Sequence, residues 1–242
     1  SHQRGAETAM ARLASGKRIN SAADDPAGVA IASRLNSEIR GTSQAIRNAL
    51  DGQALIDTAE GGHKEVENIL QRMREIAVQA ANDTNSSQDR ANLNEEMKAL
   101  STEIDRIAAA TSWAGKNLMN EGSSQFSFQV GTSTNAESAI TISIGSMSAT
   151  ALSLDHTSIT VTSSENSQFA ISAIDQAITS VNSQRSMLGA TSNRLNYTVN
   201  NLTNVSTNLV AALGRIQDAD YAAEITALAK HQILQKAAIA ML

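Results

Sequence analysis

Residues 174–216 read IDQAITSVNSQRSMLGATSNRLNYTVNNLTNVSTNLVAALGRI, and this stretch decides the fold class. Every seventh position in it is aliphatic: Ile174, Val181, Leu188, Leu195, Leu202, Leu209 and Ile216. A second series, four residues on, contains three apolar and three polar residues: Ile178, Arg185, Ser192, Val199, Ser206 and Leu213. Helices that pack along a left-handed seam require such a seven-residue repeat. The repeat predicts one helix over 167–217, about 75 Å long at 1.5 Å per residue, which needs partner helices along its length.

Three stretches of the N-terminal half carry a similar pattern, in which apolar positions recur at steps of four and three residues. They run from Leu35 to Ile56, from Val66 to Ala80 and from Leu93 to Ile107. Gly61-Gly62 lies between the first two stretches and predicts a bend or a brief break in the helix. The polar residues 82–88 predict a loop before the third. We expect these helices to pack against the long C-terminal helix.

The middle of the chain has a different pattern. Residues 115–165 are rich in Ser, Thr, Gly and Asn, and apolar residues alternate with polar ones at 126–130, 140–144 and 159–161. Alternation with β-branched and aromatic residues predicts strands, and Thr132–Ser138 is expected to join the first two as a hairpin. The fold prediction is therefore mainly α, an elongated bundle of long coiled-coil-like helices from both chain ends with a small β-hairpin region in the middle. The predicted segments are 1–118, 119–166 and 167–242.

Composition agrees with a thin helical bundle. Aromatic residues make up 2% of the 242 residues, and Pro26 is the single proline. Wide globular cores are usually filled with aromatic side chains, whereas bundle seams need mainly aliphatic ones. The net charge of −5 and the lack of a basic face argue against nucleic-acid binding. There is no cysteine, and no apolar run reaches 18 residues, so we expect neither disulfides nor membrane insertion.

The sequence also lacks the patterns that carry chemistry. None of its four histidines is spaced from another as metal ligands are: His2, His63, His156 and His231. No phosphate-binding loop or nucleophile elbow is recognisable. A carboxylate pair such as Glu95-Glu96 is typical of a solvated helix face. We expect no catalytic, cofactor or metal site, and we therefore expect that this protein is not an enzyme.

Several blocks of sequence carry a family resemblance. Residues 12–28 read RLASGKRINSAADDPAG, residues 71–85 read QRMREIAVQAANDTN, and residues 215–224 read RIQDADYAAE. With Asn48–Gly52, Thr58–Gly61 and Asn193–Leu209, these blocks resemble bacterial flagellins over roughly 1–118 and 168–242. Only eleven residues precede Arg12, and the chain stops at Ala240-Met241-Leu242, where flagellins usually continue. The resemblance therefore suggests a minimal rod-domain form with truncated N- and C-terminal segments.

The resemblance implies a structural subunit that polymerises with other flagellin subunits into the flagellar filament for swimming motility. It implies an extracellular location after export through the flagellar type III pathway. Further partners implied are the flagellin export chaperone and the filament cap and hook-junction proteins. The 12–28 block would form a bend, with four charged residues as candidates for inter-subunit pairs: Arg18, Asp24, Asp25 and Arg34.

Two further binding regions follow from the same resemblance. Toll-like receptor 5 recognises many flagellins on the helix that corresponds to 66–80, and the matching positions here are Arg72, Ile76 and Glu96. Arg72 lies outside the apolar series, whereas Ile76 lies inside it, so burial competes with receptor contact at Ile76. The export chaperone would bind the C-terminal segment, where the candidates are Asp220, Ile225, Leu228, Ile233 and Leu234.

Two other functions remain open at this point. The hook–filament junction protein is a structural relative with similar terminal helices, although it matches the 12–28 and 215–224 blocks less closely. A surface module that binds glycans through the β region is the other, and the scarcity of aromatic residues argues against it. The Ser and Thr residues of 122–165 are expected to form a solvated loop surface.

Overall fold

Five α-helices make up most of the described part of this computed structural model, which covers residues 2–120, 122 and 124–240. They are α1 (His2–Ser15), α2 (Pro26–Ala81), α3 (Ser87–Ala110), α4 (Ser164–Gln217) and α5 (Tyr221–Ala240). Helix α4 begins three residues before the predicted start and ends at the predicted residue. The prediction of a mainly α chain with a hairpin in the middle is confirmed.

Two small antiparallel sheets lie between α3 and α4. Strands β1 (Ser112–Trp113) and β2 (Lys116–Asn117) form the first, and β3 (Ser124–Gln129) and β4 (Ala139–Ile144) form the second. The second is the predicted hairpin, in which Phe126 is opposite Ile142 and Phe128 is opposite Ile140. The connection between its strands contains a short 3-10 helix, Ala136–Ser138.

The chain divides into two compact units. Unit 1 consists of Ser1–Ile46 and Asn200–Leu242, and unit 2 consists of Arg47–Val199. Unit 1 therefore combines residues from both ends of the sequence, including α1 and α5. Unit 2 contains all of α3, the hairpin and the middle portions of the sequence on either side of them.

The core of unit 2 is aliphatic, as the repeats predict. Four members of the α4 series are fully buried: Ile174, Val181, Leu188 and Leu195. Residues of the apolar stretch from Val66 to Ala80, on α2, are fully buried as well: Val66, Met73, Ile76 and Ala80. The hairpin packs on α2, because Asn48 donates a hydrogen bond from Nδ2 to the carbonyl oxygen of Gln129 at 2.9 Å.

The predicted break at Gly61-Gly62 is wrong, because α2 runs without interruption from Pro26 to Ala81. Glycine weakens a helix by about 1 kcal/mol relative to alanine but does not forbid one. Close packing explains the glycine at position 62, since a Cβ there would lie 2.6 Å from Sδ of Met119 and 2.9 Å from Oγ1 of Thr111. The helix needs a residue without a side chain at this contact.

The loop between α2 and α3 is shorter than predicted. Helix α3 begins at Ser87, and Ser86 caps it by accepting a hydrogen bond at Oγ from the backbone N–H of Asp89. The Asp89 carboxylate accepts the Ser86 N–H in return, at 3.0 Å. This reciprocal pair satisfies two donors at the helix start, and it allows the loop to end before Gln88.

The third predicted strand, at 159–161, is wrong within the described residues. Ile159 and Val161 are buried, but the backbone there is held by a side chain and not by a neighbouring strand. The Val161 N–H donates to Oδ1 of buried Asn94, at 3.0 Å. Helix α3 also binds this segment through Ser101, whose hydroxyl donates to the carbonyl of Leu154 at 2.9 Å. Burial of alternate residues in a loop thus gives the same sequence pattern as a strand.

Candidate assembly and recognition surfaces

The segment between α1 and α2 is hydrogen-bonded to the segment between α4 and α5, all within unit 1. The Arg18 N–H donates to the carbonyl of Gln217 at 2.6 Å, and the Ala219 N–H donates to the carbonyl of Gly16 at 3.0 Å. Gly16 has φ +70, a conformation that favours glycine. We call residues 16–25 together with 218–220 the joint of unit 1.

Three of the four charged residues predicted to pair between subunits have partners within the joint. Arg18 donates from Nη2 to the carbonyl of Ile216 at 2.9 Å and lies 3.8 Å from Oδ2 of Asp25. Asp25 also accepts the Gly28 N–H at 2.9 Å and so caps the start of α2. Arg34 is exposed on α2.

Asp24 closes the turn that precedes α2. Its Oδ2 accepts the backbone N–H groups of Ser21 and Asn20 at 2.8 and 3.1 Å. These bonds favour the carboxylate, so they lower the pKa of Asp24, with the Ser21 N–H as the largest cause. The charge of Asp24 therefore stabilises the local turn.

Helices α1 and α5 pack together in unit 1. Arg12 donates from Nη1 to Oε1 of Glu224 at 2.8 Å. Near the other end of the pair, the helices approach so closely that a Cβ on Gly5 would lie 2.6 Å from Cε1 of His231. Asp220 caps α5 by accepting the Ala222 N–H at 3.0 Å.

The apolar residues predicted for chaperone binding lie on α5 and are poorly covered. Ile225 is 55% exposed, Ile233 is 67% exposed and Leu234 is 37% exposed. Leu228 is partly buried, and Asp220 is exposed. Within the described part of unit 1, therefore, α5 carries an aliphatic surface that its contact with α1 does not bury.

A second aliphatic surface of unit 1 lies on α4. The last three members of the seven-residue series, Leu202, Leu209 and Ile216, are only partly buried, unlike the four in unit 2. Val210 next to them is 52% exposed. We call these four residues the open seam. A seven-residue series implies a partner for each member, and this part of the series is incompletely covered.

The receptor residues predicted from the resemblance lie in unit 2, and they divide into two groups. Arg72 donates from Nε and Nη2 to Oε1 of Glu96, at 3.0 and 2.8 Å, and from Nη1 to Oε2 of Glu75 at 3.0 Å. Arg72 is half exposed, and its pKa is raised, chiefly by the bond to Glu96 and then by that to Glu75. Ile76, in contrast, is fully buried and belongs to the core of unit 2.

Sequence reasoning missed an ionic cluster inside unit 2. Arg185 on α4 donates from Nε and Nη2 to Oε1 of Glu60, at 2.9 and 2.7 Å, and from Nη1 to Glu67. The only signal available was that Arg185 interrupts the second apolar series of α4. A charged residue in such a series marks a position that needs a charged partner, but it does not identify that partner.

The described residues contain no group of three or more potential metal-ligating side chains close enough to hold an ion. Among the helices in the same ranges, none is both long and apolar enough to cross a membrane.

Comparisons with known proteins agree with the sequence blocks. The model of the bacterial flagellin N-terminal helical region matches residues 1–124, and that of the bacterial flagellin C-terminal helical region matches 171–242. A flagellin of Halalkalibacterium halodurans is 43% identical over 236 residues, which cover 98% of this chain and 86% of the relative. Flagellin B of Vibrio cholerae is 32% identical, over 98% of this chain and 90% of that protein.

Solved structures share the fold. The crystal structure of Bacillus cereus flagellin superposes with a TM-score of 0.54 at 28% identity, covering 69% of this chain and 94% of that one. A putative flagellar hook-associated protein from Vibrio parahaemolyticus gives a TM-score of 0.68 at 17% identity, covering 81% and 100%. The second likeness concerns the fold alone.

Proposed function

This chain belongs to the bacterial flagellin family, and we propose that it joins its neighbours in the filament through the open seam and α5 of unit 1. Membership of the family makes it a structural component of the bacterial flagellum, which polymerises with other flagellin subunits and serves motility.

The observation that carries the proposal is the difference between the two halves of one repeat. The series is fully buried at Leu188 and Leu195 but only partly buried at Leu202 and Leu209. Each buried aliphatic side chain contributes about 1.5–3 kcal/mol, so covering the open seam is a driving force for association. We propose that the open seam of one subunit binds a different surface of the next, which is a head-to-tail contact. Such contacts build an open helical filament when the rotation between subunits does not close a ring.

Substitution of Val210 by Asp tests the open seam. Because Val210 is 52% exposed, the change leaves the fold intact but places a charge in the proposed contact. We expect V210D to lose seeded filament growth in sedimentation and negative-stain microscopy while its helical circular dichroism is unchanged. V78D in unit 2 is the matched control, since Val78 is 49% exposed. Filament growth by V210D at the wild-type rate would remove the open seam from the proposal.

Helix α5 is proposed to serve first as the chaperone surface and then as an assembly surface. Its exposed residues Ile225 and Ile233 form an apolar face that an export chaperone would cover before the subunit leaves through the flagellar type III pathway. Calorimetry with purified flagellin export chaperone tests this. We expect I225A with I233A to weaken binding at least about tenfold, which corresponds to roughly 1.4 kcal/mol. Equal affinity would place the chaperone elsewhere.

The four charged candidates are proposed to act in two ways. Arg18, Asp24 and Asp25 bind groups in their own chain, so their proposed role is to fix the bend. Arg34 is exposed on α2, outside the joint, and is the one proposed to pair with a carboxylate of a neighbouring subunit. R34E is then expected to slow filament growth without lowering the thermal midpoint, whereas D25A lowers that midpoint.

Toll-like receptor 5 recognition is proposed at Arg72 and Glu96, whose paired side chains lie at the surface of unit 2. Ile76 would act only by supporting the helix beneath them. We expect R72A to reduce receptor signalling in reporter cells relative to R106A, which changes a comparably exposed arginine on α3. Equal signalling by the two variants would exclude this site.

The filament cap and hook-junction proteins are proposed to contact the same surfaces at the two ends of the filament. The shared fold with a hook-associated protein supports this, because proteins of similar shape can continue one helical arrangement. It also defines the second candidate function, a junction protein. Growth of long filaments by this chain alone supports the filament role, and short assemblies that stop growing support the junction role.

A further inference from the structure

His63 is a titratable side chain in the interior of unit 2. It lies on α2, its exposed fraction is 0%, and its Nδ1 is 2.7 Å from the carbonyl oxygen of Ala59. A carbonyl oxygen only accepts, so Nδ1 carries the hydrogen of this bond. In the neutral ring Nε2 is then unprotonated, and it has no hydrogen-bond partner among the described residues.

We propose that His63 is an acid-sensitive switch, through which protonation of a single buried imidazole loosens the packing of α2 against α4 in unit 2. A proton can be added only at Nε2, because Nδ1 already carries one. The resulting Nε2–H would be a buried donor without an acceptor, on a ring that also carries a positive charge. Both changes oppose the folded state.

The charged groups that act on the ring belong to α2 and α4. Glu60 favours the charged imidazole and Arg185 opposes it. Glu60 already accepts two hydrogen bonds from Arg185, so a charged ring would add a second positive charge that repels the Arg185 guanidinium. At the adjacent Gly62 the nearest side chains are Thr111 and Met119, which do not titrate in this range. Protonation of His63 therefore weakens the ionic cluster that joins the two helices.

The direction of the pH dependence follows from the burial. Burial is the largest cause acting on His63, and it lowers the pKa of the folded protein below the ordinary value of 6.5. Between those two values the unfolded chain binds a proton that the folded chain does not. The stabilisation is therefore complete above pH 6.5 and is lost progressively as the pH falls below it. The unfolding constant gains at most about a factor of ten per pH unit from this group.

Denaturant unfolding of the monomeric chain between pH 5 and 7.5 tests the switch, independently of whether the chain forms filaments. We expect the wild-type unfolding constant to rise several-fold from pH 6.5 to 5.5. H63Q is expected to be less dependent on pH over that interval. H156Q is the matched control, since His156 is exposed in a turn of the same unit, and it should keep the wild-type slope. An unchanged slope in H63Q would overturn the proposal.

Nuclear magnetic resonance of the histidine rings gives a second test that needs no core substitution. In the folded wild-type chain at pH 6, the His63 ring should be neutral with its hydrogen on Nδ1. If H63Q fails to fold, this measurement on the wild-type chain still tests the proposal. A His63 ring that titrates at or above pH 6.5 in the folded protein would contradict the switch.

Discussion

Arg185 and Glu60 are 125 residues apart in sequence, and their side chains meet through two hydrogen bonds of 2.9 and 2.7 Å. Glu67 accepts a third bond from the same guanidinium and is 17% exposed. Arg185 thus joins α4 to two positions on α2 that are about two helical turns apart. The bonds also raise the pKa of Arg185, with Glu60 as the largest cause, so the guanidinium keeps its positive charge.

Replacing Arg185 by Ala should destabilise unit 2. The variant leaves Glu67 largely buried without this partner, so we expect the unfolding free energy to fall by about 1–2 kcal/mol, allowing for partial exposure of the cluster. Chemical denaturation at pH 7 measures the change. R106A is the control, because Arg106 is 64% exposed and pairs with Glu103 in its own helix. Its denaturation midpoint should not move. A stable R185A would mean that the cluster selects helix register without stabilising it.

The neighbouring glycines 61 and 62 should respond in opposite directions to alanine. A Cβ on Gly61 has nothing within 4 Å, so G61A should gain helix propensity and stabilise the chain by about 0.5–1 kcal/mol. A Cβ on Gly62 would lie 2.6 Å from Sδ of Met119. Overpacking of this kind costs about 1–3 kcal/mol, so G62A should lose stability on balance. Denaturation curves for the pair measure both, and a gain in G62A would show that Met119 moves aside freely.

The turn between β1 and β2 should accept a stabilising change. Ala114 has φ +48 and Gly115 has φ +81, which are the left-handed conformations of a two-residue hairpin turn. Alanine is strained in this region, whereas asparagine tolerates it. We expect A114N to raise the unfolding free energy by about 0.5–1 kcal/mol, and G115A to lower it, both followed as thermal midpoints. No change in either variant would indicate that the turn relaxes without cost.

Removal of the Asn94 side chain should release the segment before α4. Asn94 is 6% exposed, and Oδ1 accepts the N–H of buried Val161. N94A leaves that N–H without its acceptor, which costs about 1–3 kcal/mol. Hydrogen exchange at Val161 should accelerate together with the loss of global stability. N92A, an exposed change two residues away, should alter neither quantity, and slow exchange at Val161 in N94A would contradict this role.

The helices were predictable because their repeats are long. A seven-residue period from Ile174 to Leu195 has few structural interpretations, and all four members are buried. The hairpin was predictable for a similar reason, since polar and apolar residues alternate on both strands. Errors arose where a local pattern has two physical solutions. Gly62 looks like a helix break but is a close contact, and Ile159 with Val161 looks like a strand but is a buried loop.

The candidate surfaces were predictable only in part. The resemblance indicated Arg72 and Glu96, but their mutual hydrogen bonds depend on which faces of α2 and α3 meet. The cluster of Arg185 and Glu60 was not predictable, because charged residues in one helix do not identify a partner more than 100 positions away. His63 was noted only as a histidine without metal spacing, and its burial follows from tertiary packing alone.

The composition of unit 1 has a consequence for how the chain matures. Arg12 and Glu224 are separated by 212 positions, and unit 1 draws on both Ser1–Ile46 and Asn200–Leu242. A ribosome releases the first of these segments long before the second has been made. The pair of Arg12 and Glu224 therefore cannot form until the second segment has been synthesised. Unit 2, whose residues are contiguous, does not depend on that late segment.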